Sequence, residues 1–150
     1  MITENSPGRK PELYEMLEKI DKAQSRDERV KLVREYGKKY QPFNDYLRCI
    51  FDETIEFALP KGRPPYTPAG EMPPSSWHKR HLDLKYFVKG LSAEQVNTIK
   101  REAMFIGVLE SIHEEDALHI SLISEKKCLV NELDSEIVEE ALPGLLKKRK

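Results

Sequence analysis

The sequence predicts an all-α domain of about seven short helices in one unit, with a proline-rich strap between the third and the fourth. Apolar residues recur at i, i+3, i+4 and i+7 through most of the chain. Four of the stretches that carry them open on serine or aspartate capping residues. Sustained two-residue alternation, the mark of a half-buried strand, is missing apart from the brief Lys-Cys-Leu-Val-Asn-Glu-Leu run at 127–133, which reads as a turn or a short extended piece. At 150 residues the chain can bury a real core. Its 34% charged residues, above the usual quarter, fit helices with heavily solvated faces.

Each element follows in order. Residues 1–10 read as a flexible N-terminus. Pro11 then opens a helix whose face is Leu13, Met16, Leu17 and Ile20. Ser25 with Glu28 forms a capping box ahead of Val30, Leu32 and Val33, and Gly37 is expected to stop that second helix. After Pro42 a third helix carries Phe43, Tyr46, Leu47, Ile50 and Phe51 on one stripe, aromatic-rich and placed at the centre of the core.

Residues 57–76 hold six of the ten prolines. Fixed φ at Pro60, Pro64 and Pro65 stiffens the chain toward polyproline II. The stretch therefore reads either as a ligand for an aromatic groove or as a crossover strap anchored by Leu59 and Tyr66. Ser75 or Ser76 caps a fourth helix running from Trp77 to Gly90, and Ser92 with Gln95 a fifth and longest one, with Leu91 stapled onto Val96. A sixth spans Glu114 to Lys127, acidic at its start and basic at its end as the helix dipole prefers. Asp134, with Leu133 and Val138 as a staple, opens a seventh. Residues 11–146 thus form one helical domain, and 147–150 a basic tail.

Charge is segregated beneath an overall net of −1. Residues 57–90 carry six cations against Glu71 and Asp83, whereas residues 91–146 carry twelve carboxylates against four cations. Cations interleaved with aromatics, namely Lys61, Arg63, Tyr66, Trp77, Lys79, Arg80, Lys85 and Lys89, have the composition of a surface that binds nucleic acid or a partner. The same cations also fit the solvated side of a helix whose other side packs Leu82, Leu84, Tyr86 and Phe87.

Signals for chemistry are few. His78 and His81 lie i, i+3 on a helix, but Lys79 and Arg80 beside them would repel a cation. Glu114, Glu115 and Asp116 sit where a helix N-terminus favours negative charge anyway. Cys49 and Cys128 read as reduced thiols in apolar surroundings rather than as a disulfide. No nucleophile motif and no glycine-rich phosphate loop occurs. The expectation is therefore a protein without catalytic, cofactor or metal residues. Without an apolar run of about 18 residues or a signal pattern, the expected place is the cytoplasm, with no membrane partner.

Three motifs carry a resemblance. Phe51 and Asp52 lead into Leu59, Pro60, Gly62, Pro64, Pro65 and Tyr66; Phe105, Ile106, Leu109, Glu110 and Ser111 follow in a helix; Pro143 to Leu146 close the chain as Pro-Gly-Leu-Leu. In this order, over residues 12–146, they resemble a family of small proteins of tailed bacteriophages, of myovirus and cyanophage type, with a Leu-Pro-x-Gly-x-Pro-Pro-Tyr signature. The chain departs from that pattern at Glu53, where proline is common, and at Cys128 and Asn131 to Leu133. The resemblance implies phage origin and the cytoplasm of an infected bacterium, with virion association as the other location. It implies no activity. Two functions are expected: a non-enzymatic accessory protein binding nucleic acid or the replication or transcription machinery through the basic aromatic segment, or a module docking onto a phage or host protein through its acidic C-terminal half or its strap.

Overall fold

A computed structural model describes residues 9–148. The predicted N-terminal arm lies mostly outside them, but Arg9 is held by Glu15 at 2.7 Å. Seven α-helices and three short 3-10 turns make up the regular structure, and no strand is present among the described residues. None of these helices is long and apolar enough to cross a membrane.

The first three helices follow their periodicity. α1 (Leu13–Lys22) buries Leu13, Met16, Leu17 and Ile20, and its first turn is closed by the reciprocal pair Glu12 and Glu15. α2 (Arg26–Lys39) starts on Ser25, whose hydroxyl accepts from the Glu28 amide at 3.2 Å. Gly37 does not end α2 but lies buried inside it. A Cβ there would sit 2.5 Å from a Leu142 methyl, so the missing side chain is what admits that leucine. The Asn44 amide donates to the Gly37 carbonyl at 2.7 Å, tying α2 to α3 (Gln41–Phe51). As its stripe predicts, α3 buries Phe43, Tyr46, Leu47 and Ile50 at the centre of the core.

Beyond the strap, tertiary contacts override the periodicity. The fourth helix shrinks to one turn, α4 (Trp77–Arg80), and continues as a 3-10 segment, His81–Tyr86. Two pins on α3 explain this. The Trp77 indole donates to the Pro42 carbonyl at 2.9 Å, and the His81 ring meets Asp45 at 2.6 Å. The chain must then drop to pair Val88 with Phe57 in an isolated antiparallel bridge. The longer rise of a 3-10 turn, about 2.0 Å per residue, covers that distance better than an α-turn.

The entry to the fifth helix also moves. Ser92 spends its amide on the Lys85 carbonyl, Ala93–Gln95 makes only a 3-10 turn, and Asn97 caps α5 (Thr98–Ser111) by accepting from the Lys100 amide. Leu91 and Ile99 consequently face solvent. α6 (Glu114–Ile120) ends about two turns early, followed by the 3-10 turn Ile123–Glu125 and left-handed Lys126 (φ 55°), whose ammonium donates to the Asp52 carbonyl at the end of α3. α7 (Ser135–Ala141) is capped by Asp134 as expected and packs along α2, while α6 packs on α5 and α1.

Candidate functional site

The strap is an ordered element lying along α5. At its start, the Ala58 amide donates to the Phe87 carbonyl and the Lys89 amide to the Glu56 carbonyl. Arg101 of α5 spreads its guanidinium over three carbonyls, those of Ala58 (3.3 Å), Ala93 (2.7 Å) and Val96 (2.9 Å). Further on, the Thr67 amide donates to the Glu110 carboxylate at 2.6 Å, and the Ser75 amide to the Ser111 carbonyl at 2.8 Å. Strap and helix therefore run in the same direction. Between Ala58 and Thr67 a polyproline II chain would advance about 28 Å, against about 14 Å between Arg101 and Glu110 on α5. Gly62, at φ 95°, turns the chain and takes up part of the surplus.

Two of the sequence motifs are thereby one structural unit. Leu59 and Tyr66 pack against the core, and Phe105 and Ile106 line a cleft of about 410 Å³ under Leu59, Pro64 and Pro65. Glu110 and Ser111 hold the far end. The third motif also has a fixed place: Leu145 and Leu146 pack on the core, and the Lys147 carbonyl accepts from the Glu53 amide.

The predicted cations and aromatics separate into three groups. Pro60, Lys61, Arg63 and Pro65 present the outer edge of the strap to solvent. Arg63 reaches the Tyr66 hydroxyl at 3.5 Å and borders a groove of about 580 Å³ that also holds Glu114 and Glu115. Lys61 borders another, of about 610 Å³, with Glu53, Glu56 and Glu125 and with the cations Lys89 and Lys126. Lys79, Lys85 and Lys89 form a second exposed group, Lys85 resting 5.1 Å over the Tyr86 ring.

The third group is taken up by contacts within the fold. Trp77 is 2% exposed, so it anchors the fold and offers no face for stacking. Arg80 is committed to Asp83 at 3.1 Å. The solvated-helix alternative needs one correction: Leu84, Tyr86 and Phe87 pack as expected, joined by Trp77 and His81, but Leu82 is 68% exposed.

The histidines and buried acids have local partners. His78 points to the Pro11 carbonyl (2.8 Å) and His81 to Asp45, so they do not converge. Among the described residues, no group of three or more metal-ligating side chains is arranged around a common point. Asp116 accepts from the Tyr14 amide at 2.7 Å, joining α6 to α1; burial, reinforced by Glu12 and Glu15, pushes its carboxyl up to about 8. His119, edge-on to Tyr46, is pushed down to about 4 by burial. Asp52 is fully buried, but hydrogen bonds from the Thr54 hydroxyl and amide keep its carboxyl below the usual range against that burial. Cys49 is buried and Cys128 half-buried, and both are free thiols.

Sequence reasoning treated Arg101 only as a charge, and it is the clamp of the strap. No local pattern marks it, since its partners are backbone carbonyls, which carry no side-chain signal, and Ala58 lies 43 residues away. Glu110 did carry a signal, as a member of the Phe-Ile-x-x-Leu-Glu-Ser motif.

No curated protein and no solved structure matches the chain. Residues 16–130, from α1 to the segment after α6, match one family model, and the chain belongs to that family of unknown function (DUF6433).

Proposed function

We propose that the chain is a non-enzymatic accessory protein, of the tailed-bacteriophage type its motifs resemble, that docks a phage or host protein through the outer edge of the strap. The observation that carries this reading is the charge around that edge. Lys61 and Arg63 stand on fixed backbone, and the grooves beside them mix in carboxylates: Glu114 and Glu115 next to Arg63, Glu53, Glu56 and Glu125 alternating with Lys89 and Lys126 next to Lys61, and Glu102 in the cleft between. A nucleic-acid backbone carries one charge per about 1.7 Å and would meet those carboxylates at close range. A protein segment of mixed charge, with an apolar side chain for the cleft over Phe105 and Ile106, suits the same ground. The cost of ordering the strap is already met by its own core contacts, which favours affinity.

Nucleic-acid binding rests on a different group, Lys79, Lys85 and Lys89, which are exposed and make no ion pair with any described residue. One experiment separates the two. The tagged full chain and its Lys61→Glu, Arg63→Glu variant are used to recover partners from infected cells, with and without nuclease. Protein docking at the strap predicts one stoichiometric partner, insensitive to nuclease and reduced roughly tenfold or more by the double substitution. Equal recovery by both proteins, or recovery abolished by nuclease, overturns it.

A further inference from the structure

Two further grooves carry opposite charge, one of them sharing Glu115 and Leu118 with the groove beside Arg63. The first lies between α3 and the 81–91 segment, has a volume of about 380 Å³, and is flanked by Leu82 (68% exposed) and Leu91 (61%) together with Lys85 and Lys89. The carboxylate in it, Asp45, is held by His81, and Arg48 lies 3.5 Å from buried Asp52. Both lysines make no ion pair among the described residues, so the outward charge of this face is positive.

The second groove lies where α1, α6 and residues 129–130 meet, has a volume of about 240 Å³, and is flanked by Leu118 (40% exposed) and Leu129 (44%) together with Glu18, Asp21 and Glu115. Glu18 pairs with Lys22, whereas Asp21 and Glu115 make no ion pair among the described residues. No residue belongs to both faces. Each thus offers two exposed leucines with a pair of like charges, and the charges are opposite in sign. Monomeric surfaces seldom leave large apolar side chains grouped in this way, and four of the six most exposed large apolar residues lie in these two grooves.

We infer that the occupant of each groove is the other groove on a second copy of this chain. Leu82, Leu91, Lys85 and Lys89 of one copy meet Leu118, Leu129, Asp21 and Glu115 of the next. Because the two surfaces differ, the contact is heterologous, and its repetition gives a ring or an open chain rather than a two-fold dimer. Its modest size places the dissociation constant on the order of 10–100 µM, in the range of transient interfaces. The contact uses neither Lys61 nor Arg63 and survives their substitution, although Glu115 and Leu118 also border the groove beside Arg63.

The test is sedimentation velocity of the full chain from about 5 to about 500 µM, a range bracketing that constant. Wild type is expected to grow in mass with concentration, and less so as salt rises toward about 0.5 M. The variant Leu82→Glu, Leu91→Glu and the variant Leu118→Lys, Leu129→Lys each remain monomeric alone. Mixed in equal amounts they form a one-to-one dimer and nothing larger, because one intact face remains on each. Lys85→Glu with Lys89→Glu, on exposed side chains, checks the first variant without removing either leucine and also remains monomeric. Wild type that stays monomeric throughout, assembly by either leucine variant alone, or a mixture that stays monomeric overturns the inference.

Discussion

The helices α1 to α3 and the middle segment 57–97 are held together in different ways. In the first region, stripes of side chains such as Leu13, Met16, Leu17 and Ile20 disappear into a shared core, so stability is spread over many contacts. In the second, a strap, one turn of α-helix and two 3-10 turns are pinned at separate points: Trp77 on Pro42, His81 on Asp45, Arg101 on three carbonyls and Glu110 on Thr67. Substitutions in the first region are therefore shared among neighbours, while those in the second release a pin. The middle segment is also where Lys61, Arg63, Leu82 and Leu91 reach the surface, so the pins position the candidate docking surfaces.

The largest expected effect comes from removing the deepest pin. Trp77→Ala should cost about 3–5 kcal/mol through the cavity and the lost indole bond. Trp77→Phe, which keeps the ring but not the N–H donor, should cost about 1 kcal/mol more than its change in packing. Chemical denaturation of both variants checks the difference. A Trp77→Phe loss no larger than its change in packing would show that the indole donor is irrelevant and the pin purely apolar.

Arg101→Ala comes next, at about 1.5–3 kcal/mol, since it strips a charged donor from three carbonyls. Its signature is regional: amide exchange should accelerate at the strap and residues 93–96 while α1 to α3 keep their protection. Arg101→Lys should recover little, because an ammonium cannot span the three acceptors as the planar guanidinium does. Uniform acceleration across the chain would erase the contrast between the two regions.

The smallest effect tests the first region through buried titratable groups that α6 packs against it, Asp116 on Tyr14 of α1 and His119 on Tyr46 of α3. Asp116, raised from 3.8 to about 8, stabilises the folded state fully below the unfolded value, and that contribution is lost as pH rises through about 8. His119, lowered from 6.5 to about 4, works in the opposite sense, with stability lost as pH falls from about 6.5 toward 4. The two slopes oppose one another between about 4 and 6.5. Above that window Asp116 acts alone, and the melting temperature should decline between pH 6.5 and 8. Asp116→Asn retains an acceptor for the Tyr14 amide and should flatten that decline, measured by thermal denaturation across the range. An unchanged pH profile in the variant would remove Asp116 as its source.

What could be read in advance divides along the same line. The stripes of α1 and α3, the Ser25 and Asp134 caps and the anchoring of the strap by Leu59 and Tyr66 were legible, because each depends on residues close in the chain or on a period that needs only one apolar side. The single helix expected from Trp77 to Gly90, the stop at Gly37 and the Ser92 cap were not. Each was decided by a partner distant in sequence: α3 for Trp77 and His81, Leu142 for Gly37, and the Lys85 carbonyl for the Ser92 backbone. Among the candidate site residues, Lys61 and Arg63 stand exposed as charged strap residues should. Trp77 does not, because the indole N–H found a carbonyl on α3 and burial of so large a ring outweighs its exposure.

The sequence by itself thus determined an all-α chain, where most of its helices begin, a stiff strap and a charge pattern, since these follow from local backbone preference and composition. Only the tertiary structure decided which cations face water, which aromatic anchors the core, and which carboxylates lie beside Lys61 and Arg63. Hydrogen bonding and desolvation depend on what the fold brings together, and Arg101 reaching Ala58 across α5 is the contact on which the strap's position rests.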